Sequence, residues 1–206
     1  MCNSLKKLIN QENAQTVQKG PLSIGDKLPD FSKKAVVGSG KGIDIVEIKH
    51  TYASEQGKWL VLFWWPKDFT FVCPTEIIEF NQIASQLAEH NTLIIGASTD
   101  SEYVHLGWRQ QHPGLINLTI PMLADTSKSL AEEMGVLDND EKVAYRATFI
   151  VDPQGKIQWL SVYPMNVGRN TDEVLRVLQA LQTGELTACG WSPGEQTLTA
   201  VLETEV

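Results

Sequence analysis

Cys73 stands with Thr70 three residues before it and Pro74 directly behind it. The thiolate of a cysteine is a strong nucleophile, and a positive local field favours it over the thiol. A threonine hydroxyl both donates and accepts hydrogen bonds. The pair therefore suits a reaction in which sulfur attacks a polar bond while the hydroxyl holds the target in line. The competing reading is a buried cysteine that packs as a small hydrophobe and reacts with nothing. A core cysteine has no use for Thr70 as a neighbour.

Two elements must position this sulfur. Lys58 to Trp65 reads K-W-L-V-L-F-W-W, apolar after the lysine, and predicts a buried strand. Pro66 has no N–H to give to a sheet ladder and ends it. Pro74 is a helix start signal. Beyond it Ile77, Phe80, Ile83, Ala84 and Leu87 recur at helical spacing, with Glu76, Glu79, Asn81, Gln82 and Gln86 between them. Cys73 thus sits where a strand hands over to a helix N-terminus. Unpaired N–H groups and the positive end of the helix dipole favour an anion there.

Pro66, Thr70 and Cys73 spell P-x-x-x-T-x-x-C, and the longer string W-P-K-D-F-T-F-V-C-P-T-E resembles the active-site signature of the peroxiredoxins. It is most similar to the alkyl hydroperoxide reductase C branch of the typical two-cysteine members. The resemblance runs from about Leu22 to Trp191 and includes the lead-in I-G-D-x-x-P-x-F at Ile24 to Phe31. It implies an α/β protein with a thioredoxin-like fold in its peroxiredoxin variant, and a thiol peroxidase acting on hydrogen peroxide and organic hydroperoxides. Cys73 would be the attacking thiolate and Thr70 would accept from the peroxide. Backbone N–H groups near Val72 and Cys73 are candidate donors to its oxygens. Arg146, in Y-R-A-T-F-I-V-D, matches the family's permanent cation; read alone it is a surface charge at a strand end. Pro66 would shield the sulfur from water. Glu76 would orient an arginine, or equally be a favourable charge near a helix start.

Attack would leave Cys73 as a sulfenic acid. Cys189, in E-L-T-A-C-G-W, matches the family's resolving cysteine, which comes from the partner subunit of a homodimer; read alone it is an unpaired tail thiol. Dimers of the family assemble into decameric or dodecameric rings. The re-reducing partner would be a separate dithiol protein: an AhpD-like protein, as Trp65 in place of a frequent tyrosine suggests, or thioredoxin, or a flavoprotein disulfide reductase. Thr187 stands where some relatives carry a further cysteine. Gly135 to Asp138 reads G-V-L-D rather than G-G-L-G, and the chain ends L-E-T-E-V without a Tyr-Phe helix. These departures imply resistance to over-oxidation. An alternative reading is a ring-forming holdase or redox-signalling adaptor with incidental peroxidase activity. A thioredoxin-type disulfide oxidoreductase is disfavoured, because Thr70 and Glu76 stand where a paired cysteine would be needed.

Composition narrows the field. The chain has 206 residues, 42% hydrophobic, enough for one substantial core. A net charge of −8 argues against nucleic acid and anionic membrane surfaces as partners. No apolar run reaches the roughly 18 residues that span a bilayer. The N-terminus lacks a signal-peptide core, so a cytoplasmic location is expected. Cys2, Cys73 and Cys189 form no C-x-x-C, and four scattered histidines offer no ligand spacing, so neither metal nor cofactor is expected.

Along the chain, residues 1–20 read as a peripheral arm carrying Leu5, Leu8, Ile9 and Cys2. Residues 21–184 read as the thioredoxin-like domain and 185–206 as a tail bearing Cys189. Strands are expected over 43–48, 92–99, 121–125, 146–151 and 156–163. Helices are expected after Asp100 or Ser101 to about Gln111, over 127–134, and after Asn170 to Gly184, where Glu173 is placed to bond back to the cap. Strands alternating with helices and closing in a hairpin predict a central mixed sheet flanked by helices.

Overall fold

In the computed structural model, which describes residues 20–204, the apolar run before Pro66 is the central strand β3, Trp59–Trp64. The other strands are β1 (Ser32–Val37), β2 (Asp44–Lys49), β4 (Thr92–Ser98), β5 (Met122–Ala124), β6 (Arg146–Val151) and β7 (Ile157–Tyr163). Together they make one seven-stranded sheet in the order β2-β1-β5-β4-β3-β6-β7. β3 runs parallel to β4 and antiparallel to β6, so the sheet is mixed as expected. The parallel pair needs a long crossover. It is made by α1 (Cys73–Gln82) and α2 (Ala84–Glu89). The remaining helices are α3 (Glu102–Gln111), α4 (Ser129–Glu133), α5 (Thr171–Thr183) and α6 (Leu198–Thr204).

Side chains of a strand alternate between faces, and β3 divides the core accordingly. Leu60, Leu62 and Trp64 pack with Ile95, Phe149, Leu130 and Met134 on one side. Val61, Phe63 and Trp65 pack with Ile77, Phe80, Leu87, Trp108 and Leu178, the inward faces of α1, α2, α3 and α5, on the other. That second layer carries Cys73. Gly96 on β4 leaves room for it: a Cβ there would lie 2.6 Å from Phe63 Cζ and 2.7 Å from Trp65 Cζ3.

Several expectations need correction. The periodic stretch beyond Cys73 is two helices, because the backbone of Ile83 (φ −81°, ψ −3°) departs from helical geometry between them. Cys73 itself is the first helical residue, and Pro74 the second. β1 was not expected: Lys33 and Lys34 mask its period, and only Ala35 and Val36 are wholly buried. Asn170 caps α5 by accepting from the Asp172 N–H, but Glu173 does not reach back; its carboxylate takes two bonds from Arg176 instead. A two-bond pairing between ions outweighs a single bond from an uncharged backbone N–H. Ser101 caps α3 through the Val104 N–H, and Gly184 closes α5 at φ +66°. The tail holds a short helix, α6. Residues 1–19, with Cys2 and most of the arm, lie outside the described residues.

Candidate active site

The β3-to-α1 handover brings Cys73 beneath the sheet edge, only 1% exposed. It faces a cavity of about 240 Å³ lined by Pro66, Thr70, Val72, Arg146 and Met165 among others. The first-turn N–H of Cys73 has no partner within its own helix. Thr70 Oγ1 donates to the Lys67 carbonyl at 2.9 Å, which leaves its lone pairs free to accept.

Arg146 opens β6, on the antiparallel neighbour of β3, and reaches across to the sulfur. Its Nη1 donates to Cys73 Sγ at 3.4 Å and to Glu76 Oε2 at 2.6 Å. Its Nε donates to the Met165 carbonyl at 2.7 Å, so the fork cannot swing. Glu76 lies three residues after Cys73 and therefore shares its side of α1. It orients an arginine, and does more. Arg169, which sequence reasoning missed, donates Nε to Oε1 at 2.9 Å and Nη2 to Oε2 at 3.0 Å of the same carboxylate. Arg169 also donates to the Ala147 carbonyl and to Thr148 Oγ1. Its guanidinium lies over Phe80 at 5.1 Å and Phe63 at 5.5 Å. Burial pulls the Arg169 pKa down, and bonding to Glu76 opposes that loss.

The charge count decides what this cluster can do. Two guanidinium ions and one carboxylate are all less than 5% exposed. One positive charge is left over, and an uncompensated charge in a buried site is costly. The group next to that surplus charge is the Cys73 sulfur, 3.4 Å from Arg146 Nη1. The sulfur so held faces a small, solvent-open cavity that Thr70, with its acceptor hydroxyl, also lines. That arrangement suits attack on a small polar bond.

Cys189 is elsewhere. It is exposed, follows α5, and lines a separate groove of about 650 Å³ with Trp159, Arg176 and Leu181. Both described cysteines are free thiols, and the structure does not bring them together. Among the described residues no cluster of side chains could hold a metal ion, and no helix is long and apolar enough to cross a membrane.

Comparisons with known proteins place the chain in a family. Residues 24–160 match the model of the AhpC/TSA family. The chain belongs to the AhpC/TSA family. It is 46% identical over 185 residues to alkyl hydroperoxide reductase C of Mycolicibacterium smegmatis, covering 87% of this chain and 94% of that one. It is 43% identical over 187 residues to mouse peroxiredoxin-2, covering 87% and 91%. Among solved structures, Mycobacterium tuberculosis AhpC superimposes with a TM-score of 0.76 at 45% identity, over 83% of this chain and 99% of that one. A Plasmodium vivax 2-Cys peroxiredoxin gives 0.77 at 33% identity, over 85% and 92%. The fold of this AhpC/TSA member is thioredoxin-like in its peroxiredoxin variant, and its activity is that of a thiol peroxidase. These likenesses do not favour the holdase or adaptor alternative.

Proposed function

We propose that this thiol peroxidase reduces hydrogen peroxide and organic hydroperoxides at Cys73 and resolves the product with Cys189 of a second subunit. The Cys73 thiolate attacks one peroxide oxygen. An S–O bond forms as the O–O bond breaks, and the departing oxygen takes a proton to leave as water or an alcohol. Thr70 accepts from the peroxide. Arg146 and the N–H groups near Val72 and Cys73 donate to the oxygens as charge develops. Pro66 shields the sulfur from bulk water. The sulfenic acid on Cys73 is then attacked by Cys189, giving a disulfide and water. A separate dithiol protein reduces the disulfide by exchange; an AhpD-like protein, thioredoxin and a flavoprotein disulfide reductase are the candidates.

The observation that carries the reading is Arg146 Nη1 at 3.4 Å from Cys73 Sγ, in a cluster short of one negative charge. The homodimer is supported by β7, an edge strand of the sheet, whose unpaired backbone groups can take a second chain; assembly into a decameric or dodecameric ring goes with it. A 21–184 domain followed by a tail carrying Cys189 fits the same scheme, as does a reducing cytoplasm for two free thiols.

A non-reducing gel tests the pairing. Peroxide-treated wild type should run as a covalent dimer, and Cys73→Ser and Cys189→Ser should not. An internally bridged monomer would overturn the inter-subunit step. Resistance to over-oxidation is read by mass spectrometry of the Cys73 peptide. Little sulfinic acid should form under peroxide excess with reductant cycling; its build-up within a few turnovers would refute the expectation.

A further inference from the structure

The loop between β3 and α1, residues 66–72, is docked on α3 by a buried polar chain that the peroxide chemistry does not use. Trp65 Nε1 donates to Asp68 Oδ1 at 2.7 Å. Asp68 Oδ2 lies 2.7 Å from His105 Nδ1. His105 Nε2 lies 3.2 Å from the Leu123 carbonyl of β5. His105 is wholly buried and Asp68 is 9% exposed. A second anchor follows at once: the Phe69 ring lies 5.9 Å from Trp108, one turn beyond His105 on α3. Phe69 holds φ at +56°, a conformation that is strained for a non-glycine residue and persists only where the surroundings enforce it.

Proton accounting constrains the pair. A carbonyl only accepts, so Nε2 carries a hydrogen. The short Asp68–His105 contact then needs one further proton, on Nδ1 or on the carboxyl. Without it, a carboxylate oxygen and a ring lone pair would face each other. With a second one, two donors would face each other and a net charge would be buried.

We propose that Asp68 and His105 are positioning residues for the peroxide reaction, holding one proton between them to keep the 66–72 loop, and with it Thr70 and the start of α1, docked on α3. This rests on the reading of Cys73 as the peroxide-reactive thiol. The other groups facing the pair are few. Asp100, at the end of β4, accepts the Asp68 N–H at 2.8 Å and adds negative charge nearby. From β5 comes only the Leu123 carbonyl, with Asp125 beyond it paired to Lys33. On α3, Arg109 spends its guanidinium on the carbonyls of Val36, Gly38, Leu118 and Ile120. Lys67 points away, to Glu141. No described cation is therefore placed to take over the proton's role.

Asp68→Asn makes the test specific. Its amide oxygen can still accept from Trp65, and its amide N–H can donate to Nδ1 of a neutral His105 without any shared proton. The docking window should therefore move to higher pH at both limbs: the variant cannot lose the bridging proton, and it cannot accommodate a charged imidazole. Two readouts apply to the full chain: hydrogen-exchange protection of the loop amides across pH, and the stopped-flow rate of Cys73 with hydrogen peroxide. His105→Ala should lower the rate about tenfold or more, since small misplacements of reacting groups are costly, and should erase the protection. Asp68→Asn should lose less at neutral pH and show both limbs displaced. Unchanged pH limbs in Asp68→Asn, or a full rate in His105→Ala, would overturn the inference. If His105→Ala does not fold, Asp68→Asn decides alone. Should Cys73 of the wild type fail to react with peroxide, the functional reading falls, while the exchange data still report on the docking.

Discussion

The two sulfur-bearing ends of this molecule are built on opposite plans. Around Cys73 the innermost charged side chains are buried and multiply bonded: Glu76 takes bonds from both Arg146 and Arg169, and each arginine is tied to a backbone carbonyl besides, while Lys67 and Glu141 of the cavity lining pair with each other half in solvent. Around Cys189 the thiol is exposed, the groove is open, and the nearest ion pair, Arg176 with Glu173, lies half in solvent. Chemistry that builds charge needs fixed donors before the substrate arrives. A thiol that must meet another across a gap needs freedom to travel. One chain therefore offers a buried, charge-bonded setting at Cys73 and an exposed one at Cys189, which suits the attacking and resolving roles proposed for them.

That contrast can be broken first at Arg146. Arg146→Lys keeps the charge but loses the planar fork that serves Sγ, Glu76 and Met165 together. The rate of Cys73 with peroxide should fall by about 10²–10³-fold, the loss typical of removing a preorganised donor; a single-turnover assay reads it. Glu76→Gln comes next. It leaves two buried guanidinium ions without their carboxylate, and breaking a buried pair in this way costs about 3–5 kcal/mol. Urea denaturation should show the shift in midpoint, and an unshifted midpoint would mean that solvent reaches the cluster.

A stability profile against pH should separate the ends by sign. Burial raises the Asp68 carboxyl above its unfolded value of 3.8. Its stabilising contribution is complete below that value and is lost as pH rises through the higher folded one. Glu173 is the reverse: the Arg176 hydrogen bond holds its carboxyl below 4.5. Its contribution is present above that value and is lost as pH falls through the lower folded one. Asp68→Asn should remove the first slope and leave the second. The smallest effect is expected from Arg176→Ala in the tail groove. An exposed pair of this kind contributes at most about 1 kcal/mol, so thermal unfolding should barely move; a large drop would show that the Cys189 end is as tightly built as the other.

The sequence reveals these two ends unequally. β3 was legible because seven consecutive apolar positions, Trp59 to Trp65, state a buried strand, and Cys73 because a proline on each side marks its handover. Thr70 was legible as a hydroxyl three residues before Cys73, Arg146 entered through the family resemblance, and the structure finds both at the same cavity as Cys73. Arg169 carried no signal: it sits in a short polar stretch before Asn170, and only the folding of α5 against α1 brings it to Glu76. The Asp68–His105 pair was hidden for the same reason, its members lying 37 residues apart on elements that meet only in the fold. The lysines of β1 disguised a strand because they are satisfied by contacts no periodicity records, Lys33 by Asp125 and two serines. Glu173 was misread because a partner one turn ahead competed successfully for its carboxylate.

Gly96 gives the sheet a machinist's clearance. A single methyl in that position would shoulder aside the Phe63 ring, on which Arg169 rests, and the Trp65 indole, from which Asp68 hangs. The gauge of the layer beside Cys73 is thus set from the far side of two aromatic rings, by an atom the residue does not have.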